Sequence, residues 1–136
     1  MDTDHVTLYQ QAHPTLWSRI SLLPSNQLAT TVITYEEQVS GRIAQIRRVQ
    51  AEIDRIRAYF WLQRTLDFFC RMPILPFEER AAEKYRELKK QKIRVGTQDL
   101  LISSIVLAQD RVLLTRNWRH FSQVPDLQIE DWSIPL

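Results

Sequence analysis

Apolar residues recur along the chain in two rhythms. Between 43 and 60 they fall every three or four positions, at Ile43, Ile46, Val49, Ile53, Ile56 and Phe60, which is the period of an amphipathic helix. Residues 35–71 are therefore expected to form one long helix or a helical hairpin that stops before Pro73. The stretch 28–34 (LATTVIT) lacks that period and is rich in β-branched side chains, so it reads as a buried strand. Leu16, Trp17, Ile20 and Leu23 line one side of a helix over 14–23, which Pro24-Ser25-Asn26 ends. Downstream the pattern predicts a short strand at 73–75, helices over 77–92 and 97–109, and strands at 111–115 and 127–129. Helices alternating with short apolar strands predict an α/β fold, a parallel sheet covered on both faces.

The length of 136 residues fits one domain spanning 1–136, large enough to bury a core without disulfides or structural metal. Two glycines in the whole chain predict few sharp loops and a largely helical body. The single cysteine, Cys70, has no intrachain partner and no zinc-ligand neighbours, which suits a reducing cytoplasm. No apolar run is long enough to span a bilayer, and the amino terminus has no signal-peptide pattern, so the expectation is a cytoplasmic protein away from the membrane. Net charge is only +2, so attraction to nucleic acid must come from local clusters. Two stand out: Arg42, Arg47, Arg48, Arg55 and Arg57, then Lys84, Arg86, Lys89, Lys90, Lys92 and Arg94. Each is also an ordinary solvated helix face.

In a parallel sheet, ligands collect at the carboxyl ends of the strands, which directs attention to acids just past a strand or just inside the next helix. Asp2 with Asp4, Glu37, Asp99 and the polar segment Thr115–Asn117 meet that condition. Carboxylates that converge repel one another unless a cation neutralises them, and an all-oxygen donor set suits Mg²⁺ or Mn²⁺. Each acid has a structural explanation too. Thr34-x-x-Glu37 fits a capping box, Asp99 falls in the first turn of a helix, and Asp2 and Asp4 could be a frayed end. Three independent explanations coinciding at equivalent strand ends is what one metal site would produce.

The chain resembles the PIN-domain ribonucleases, and among them the VapC-type toxins of bacterial toxin–antitoxin pairs. The matching pieces are Asp2-Thr3-Asp4, Val32-Ile33-Thr34-Tyr35-Glu36-Glu37 with Gly41, Gly96-Thr97-Gln98-Asp99, Leu113-Leu114-Thr115-Arg116-Asn117 with Phe121, and Val124-Pro125-Asp126-Leu127 through Glu130-Asp131-Trp132. They stand in family order and cover nearly the whole chain. The resemblance implies a three-layer α/β sandwich whose acids bind Mg²⁺ or Mn²⁺, activate water and cut single-stranded RNA, with an antitoxin protein as partner. Asp2 matches the first family acid, Glu37 the second and Asp99 the third, as metal ligands. The fourth position, often aspartate, falls on Asn117, and Thr115 and Asp4 are supports in the same pocket, with Asp4 a candidate base. Family members also carry a short apolar strand before the first aspartate, in the middle of the sheet. Only Met1 stands in its place, so either a natural start lies further upstream or the central strand is lost, and the first is favoured.

Two other functions compete. The Asp2-x-Asp4 opening also matches haloacid-dehalogenase-like phosphatases, with Asp2 as nucleophile, but Glu37 and Asp99 fall in the wrong places for them. The neutral Asn117 and the short amino terminus instead favour a catalytically impaired module that binds antitoxin or RNA without cutting it. His5, His13 and His120 share no metal spacing and read as surface or packing residues, and Trp17, Trp61, Trp118 and Trp132 read as core, with Trp118 able to line the pocket. Tyr59, Phe60, Trp61 and Leu62 put apolar surface on more than one face of the long helical segment, which predicts a homodimer or an antitoxin helix to cover it.

Overall fold

The computed structural model describes all residues, Met1–Leu136. Seven helices and four very short parallel strands follow one another as α1 (Thr3–Gln10), α2 (Pro14–Ile20), β1 (Thr30–Thr31), α3 (Val32–Arg48), α4 (Glu52–Arg71), β2 (Ile74–Leu75), α5 (Glu79–Lys90), α6 (Thr97–Ala108), β3 (Leu113–Leu114), α7 (Trp118–Phe121) and β4 (Ile129–Glu130). The α/β class and the parallel pairing are as expected from the sequence, but the sheet is split. β1 pairs with β2 through Thr30 opposite Ile74, and β3 pairs with β4 through Leu113 opposite Ile129.

Main-chain hydrogen bonds of Met1 and Asp2 bridge the two halves. The Met1 amino group donates to the Ala29 carbonyl (2.8 Å), and the Asp2 N–H donates to the Leu114 carbonyl (3.1 Å). The Thr30 hydroxyl adds a bond to the Met1 carbonyl at 3.0 Å. Beside this bridge lies a cavity of about 400 Å³, lined by Met1, Leu28, Ala29, Arg111, Val112 and Leu114 among others. The parallel sheet is therefore divided by a gap between two half-sheets.

Sequence and structure differ most at element ends. The expected strand over 28–34 is reduced to two residues because α3 begins at Val32, ahead of the predicted Tyr35. The reason is the cap: Thr31 is extended and its hydroxyl accepts the Thr34 N–H at 3.2 Å, which starts the helix in spite of the β-branched residues that follow. The 35–71 segment is a hairpin, broken at Val49–Ala51, where extended backbone interrupts the helix without a glycine, a proline or a side-chain cap. The final strand is Ile129–Glu130, displaced toward the carboxyl terminus from its expected 127–129. α7 was not legible, being four residues long.

The core gathers around α6. Ile102, Ile105, Val106 and Ala108 pack with Ile33 of α3, Ala81 of α5, Leu113 of β3 and Phe121 of α7. Ser103 and Ser104 are also buried, each bonding back to the carbonyl four residues earlier, so α6 is enclosed nearly all round. That enclosure fixes the helix end that carries Asp99. Met1, Val6, Leu28, Phe69 and Leu114 form a second cluster under the bridge. Of the four tryptophans only Trp132 packs against a core cluster, while Trp17 and Trp118 are exposed, contrary to the sequence reading. Their indole N–H groups favour the surface, where Trp17 stacks on Tyr9 and donates to the Tyr9 carbonyl (2.8 Å). No helix is long and apolar enough to cross a membrane.

Candidate functional site

Asp2 stands at the seam between the half-sheets and is 5% exposed. It is the N-cap of α1, where one carboxylate oxygen accepts the His5 N–H at 2.9 Å. The Thr115 hydroxyl, wholly buried at the end of β3, lies by the same carboxylate and lowers its pKa, and it accepts the Asn117 N–H at 2.9 Å. Burial pushes the Asp2 pKa up, and Thr115 and the His5 N–H oppose the rise without cancelling it. Asp2 thus holds a desolvated negative charge in a fixed orientation.

Ligand atoms of Asp2, Asp4 and His5 lie within 4.8 Å of one another. They differ in availability. The Asp4 carboxylate is gripped from two sides by Arg116, Nε to Oδ2 at 2.6 Å and Nη2 to Oδ1 at 2.8 Å, which holds its pKa below the usual range. His5 is fully enclosed. Its Nε2 accepts the Trp132 N–H at 3.3 Å, leaving the proton on Nδ1, 3.7 Å from Asp2 and without a hydrogen-bond partner. Burial lowers the imidazole pKa to about 4 despite Asp131 at 3.6 Å, so the ring is neutral. The sequence treated His5 as a surface or packing residue, and no spacing could have revealed its place between Asp2 and Trp132.

The remaining acids reach this cluster through intermediaries rather than by direct contact. Glu37, in the second turn of α3, accepts the Thr3 hydroxyl at 2.6 Å, and Thr3 is the residue between Asp2 and Asp4. It therefore does not cap α3, since Thr31 has that role, and the capping-box alternative falls. Glu36 faces the other way, accepting from Gln98 at 3.0 Å. Asp99, in the first turn of α6, makes no cap bond and lies 3.5 Å from His120 Nδ1. The same His120 nitrogen is 3.0 Å from the Asn117 amide. Asp2, Thr115, Asn117, His120 and Asp99 are thus linked in sequence along one edge, with His120 a member that the sequence reading left outside.

These residues offer mostly carboxylate and amide oxygens around one buried acid. Such a donor set fits a hard divalent cation, whose charge would offset the desolvation by burial that raises the Asp2 pKa. Glu37 and Asp99 are tethered through Thr3 and His120 in place of direct contact with Asp2.

No family model matches the sequence. Ribonuclease VapC1 of Haemophilus influenzae is 30% identical over 139 aligned residues, covering 98% of this chain and 96% of that protein. Ribonuclease VapC2 of Rickettsia felis is 36% identical over 75 residues, about half of each chain. Among solved structures, that of VapBC-1 from nontypeable Haemophilus influenzae superposes with a TM-score of 0.74 at 29% identity, over 98% of this chain and 96% of the other. DNA-bound VapBC from Salmonella typhimurium shares the fold, with a TM-score of 0.73 at 23% identity. With that identity over nearly the full length of both chains, this chain belongs to the VapC family of PIN-domain ribonucleases.

Proposed function

We propose that the chain is a divalent-metal-dependent endoribonuclease that cuts single-stranded RNA, acting in the cytoplasm as the toxin of a toxin–antitoxin pair. The observation that supports the chemistry is the Asp2 carboxylate: desolvated, held by the His5 N–H, with Asp4 beside it and Glu37 and Asp99 connected toward it through Thr3 and His120. Asp2, Glu37 and Asp99 would hold Mg²⁺ or Mn²⁺, with the Asn117 amide oxygen as a neutral fourth donor. The chemistry such a cation supplies when bound is a lowered water pKa and neutralisation of charge on the phosphate. The protein's own contribution is placement. The His5 N–H orients Asp2, Thr3 restrains Glu37, and the buried barrel of α6 holds Asp99 still. The basic residues of α3, α4 and α5 supply attraction for the RNA backbone, which makes binding weaken steeply with salt.

A partner is supported by the exposed apolar surface of the α3–α4 hairpin. Ile53, Ile56, Tyr59, Phe60 and Leu66 are all more than half exposed, too much apolar area to leave in water. An antitoxin segment or a second copy of the chain would cover it, and the solved relatives are toxin–antitoxin complexes.

The test is cleavage of a long single-stranded RNA by the purified chain with and without Mg²⁺, beside Asp99→Asn. The wild type should cut only with the cation. Asp99→Asn should lose activity by more than the ~10–100-fold typical of an outer-shell change. Its melting temperature should hold or rise, because Asp99 caps nothing and its charge adds repulsion. Full activity in the variant would remove Asp99 from the site, and a metal-dependent wild type that binds RNA without cutting it would establish the impaired module instead.

A further inference from the structure

The Asp4–Arg116 pair is not explained by stability. It joins α1 to the loop after β3, yet its side chains are 43% and 50% exposed, and ion pairs in that setting add little to folding. It caps no helix, since Asp2 has that role at α1. Its geometry is nevertheless the most specific available to the two groups, with both carboxylate oxygens on one guanidinium edge. Arg116 makes no other hydrogen bond, so three of its five N–H groups point away from Asp4 and are free.

Arg116 follows Thr115, whose hydroxyl lies by Asp2, and so stands at the mouth of the acidic cluster. Asp2, Asp4, Glu37, Asp99 and Asp131 repel a polyanion, and Arg116 is the cation set directly against them. A phosphodiester presents two non-bridging oxygens in a geometry that a guanidinium fork matches.

We propose that Arg116 grips the RNA phosphodiester at the point of cleavage with its free N–H groups, and that Asp4 is the positioning residue that aims it. This rests on the ribonuclease reading above, and it replaces the sequence expectation of Asp4 as a base. A carboxylate committed to both nitrogens of an arginine is poorly placed to accept a proton or to ligate a cation.

The experiment compares Arg116→Ala, Arg116→Lys, Asp4→Asn and the double variant Asp4→Asn/Arg116→Ala. Three quantities are measured: affinity for a fluorescent single-stranded RNA in EDTA, single-turnover cleavage at saturating RNA with Mg²⁺, and Mn²⁺ affinity by electron paramagnetic resonance. Arg116→Ala should weaken RNA binding and slow cleavage, each about tenfold, the scale of one charge-assisted contact. Arg116→Lys should restore affinity but not rate, because the ammonium keeps the charge and loses the fork. Asp4→Asn should slow cleavage while RNA affinity holds or rises, and the double variant should be no slower than Arg116→Ala. Mn²⁺ affinity should be unchanged throughout. Unchanged binding and cleavage in Arg116→Ala would overturn the proposal, as would a fall in Mn²⁺ affinity confined to variants lacking Asp4, which would make Asp4 a ligand. A wild type that never cuts RNA sinks the ribonuclease reading alone, because affinity in EDTA then still decides whether Arg116 grips the backbone.

Discussion

His5 shows how a single side chain sets the pH behaviour of the site. Its imidazole titrates near 6.5 in the unfolded chain and near 4 in the folded one, with burial as the chief cause. Between those values the unfolded state binds more protons, so His5 contributes stability that is complete above about 6.5 and is lost as the pH falls toward 4. Asp2 acts with the opposite sign: its raised pKa means that stability drains away as the pH rises through the folded value. Melting temperature measured in EDTA should therefore decline from pH 6.5 to pH 4.5 in the wild type, and His5→Asn should flatten that decline. An equal decline in both would show that other groups dominate. Asp2 and Asp99 were legible as acids at helix starts, while Glu37 lies a turn deeper in α3 than expected. His5 and His120 were not, since each matters through partners over a hundred residues away, or through a four-residue helix with no periodicity to read.

Among the elements, the helix ends carry a cost that scarcity of glycine imposes. α1, α5 and α6 are each followed by a residue with positive φ, and these are Ala12, Lys92 and Asp110. Lysine is poorly suited to that left-handed conformation. Lys92→Gly should stabilise the chain by a few tenths to about 1 kcal/mol in denaturant unfolding, the relief of the Cβ clash being partly offset by the entropy of a freer unfolded chain. The two glycines thus foretold a helical body correctly but not the absence of left-handed turns. The α3–α4 hairpin was equally half-legible. Its apolar period was plain, whereas the break at Val49–Ala51 has no local signal and arises because both helices pack back on each other. Ile56→Glu on its exposed face should leave unfolding free energy within about 0.5 kcal/mol and reduce self-association or antitoxin binding in sedimentation experiments. Stability lost without any change in association would mean that the face is buried within the chain.

For the whole molecule, the split of the parallel sheet into two halves is the most informative departure from the single sheet expected. Four strands of two residues each make two half-sheets, and no other segment moves in to fill the gap. Parallel strands turn alternate backbone groups to opposite neighbours, so the facing edges of β1 and β3 present groups with only Met1 and Asp2 to meet them. Extending the chain before Met1 by about five aliphatic or β-branched residues, roughly one strand, should pair those edges, fill the 400 Å³ cavity and raise the melting temperature. RNA cleavage should rise with it, since Asp2 would then hang from a fixed strand. Equal melting temperatures for both lengths would show that the half-sheets need no strand between them.

The bridge at Asp2 also couples two equilibria that are usually considered apart. Its N–H secures β3, while its carboxylate is the proposed metal ligand. Whatever free energy a cation invests in that carboxylate resists, in equal measure, the parting of the half-sheets. On the proposed function, the enzyme deprived of its ion would be looser as well as idle, and more open to proteases. Metal supply would govern how long the protein survives as directly as it governs how fast the protein works.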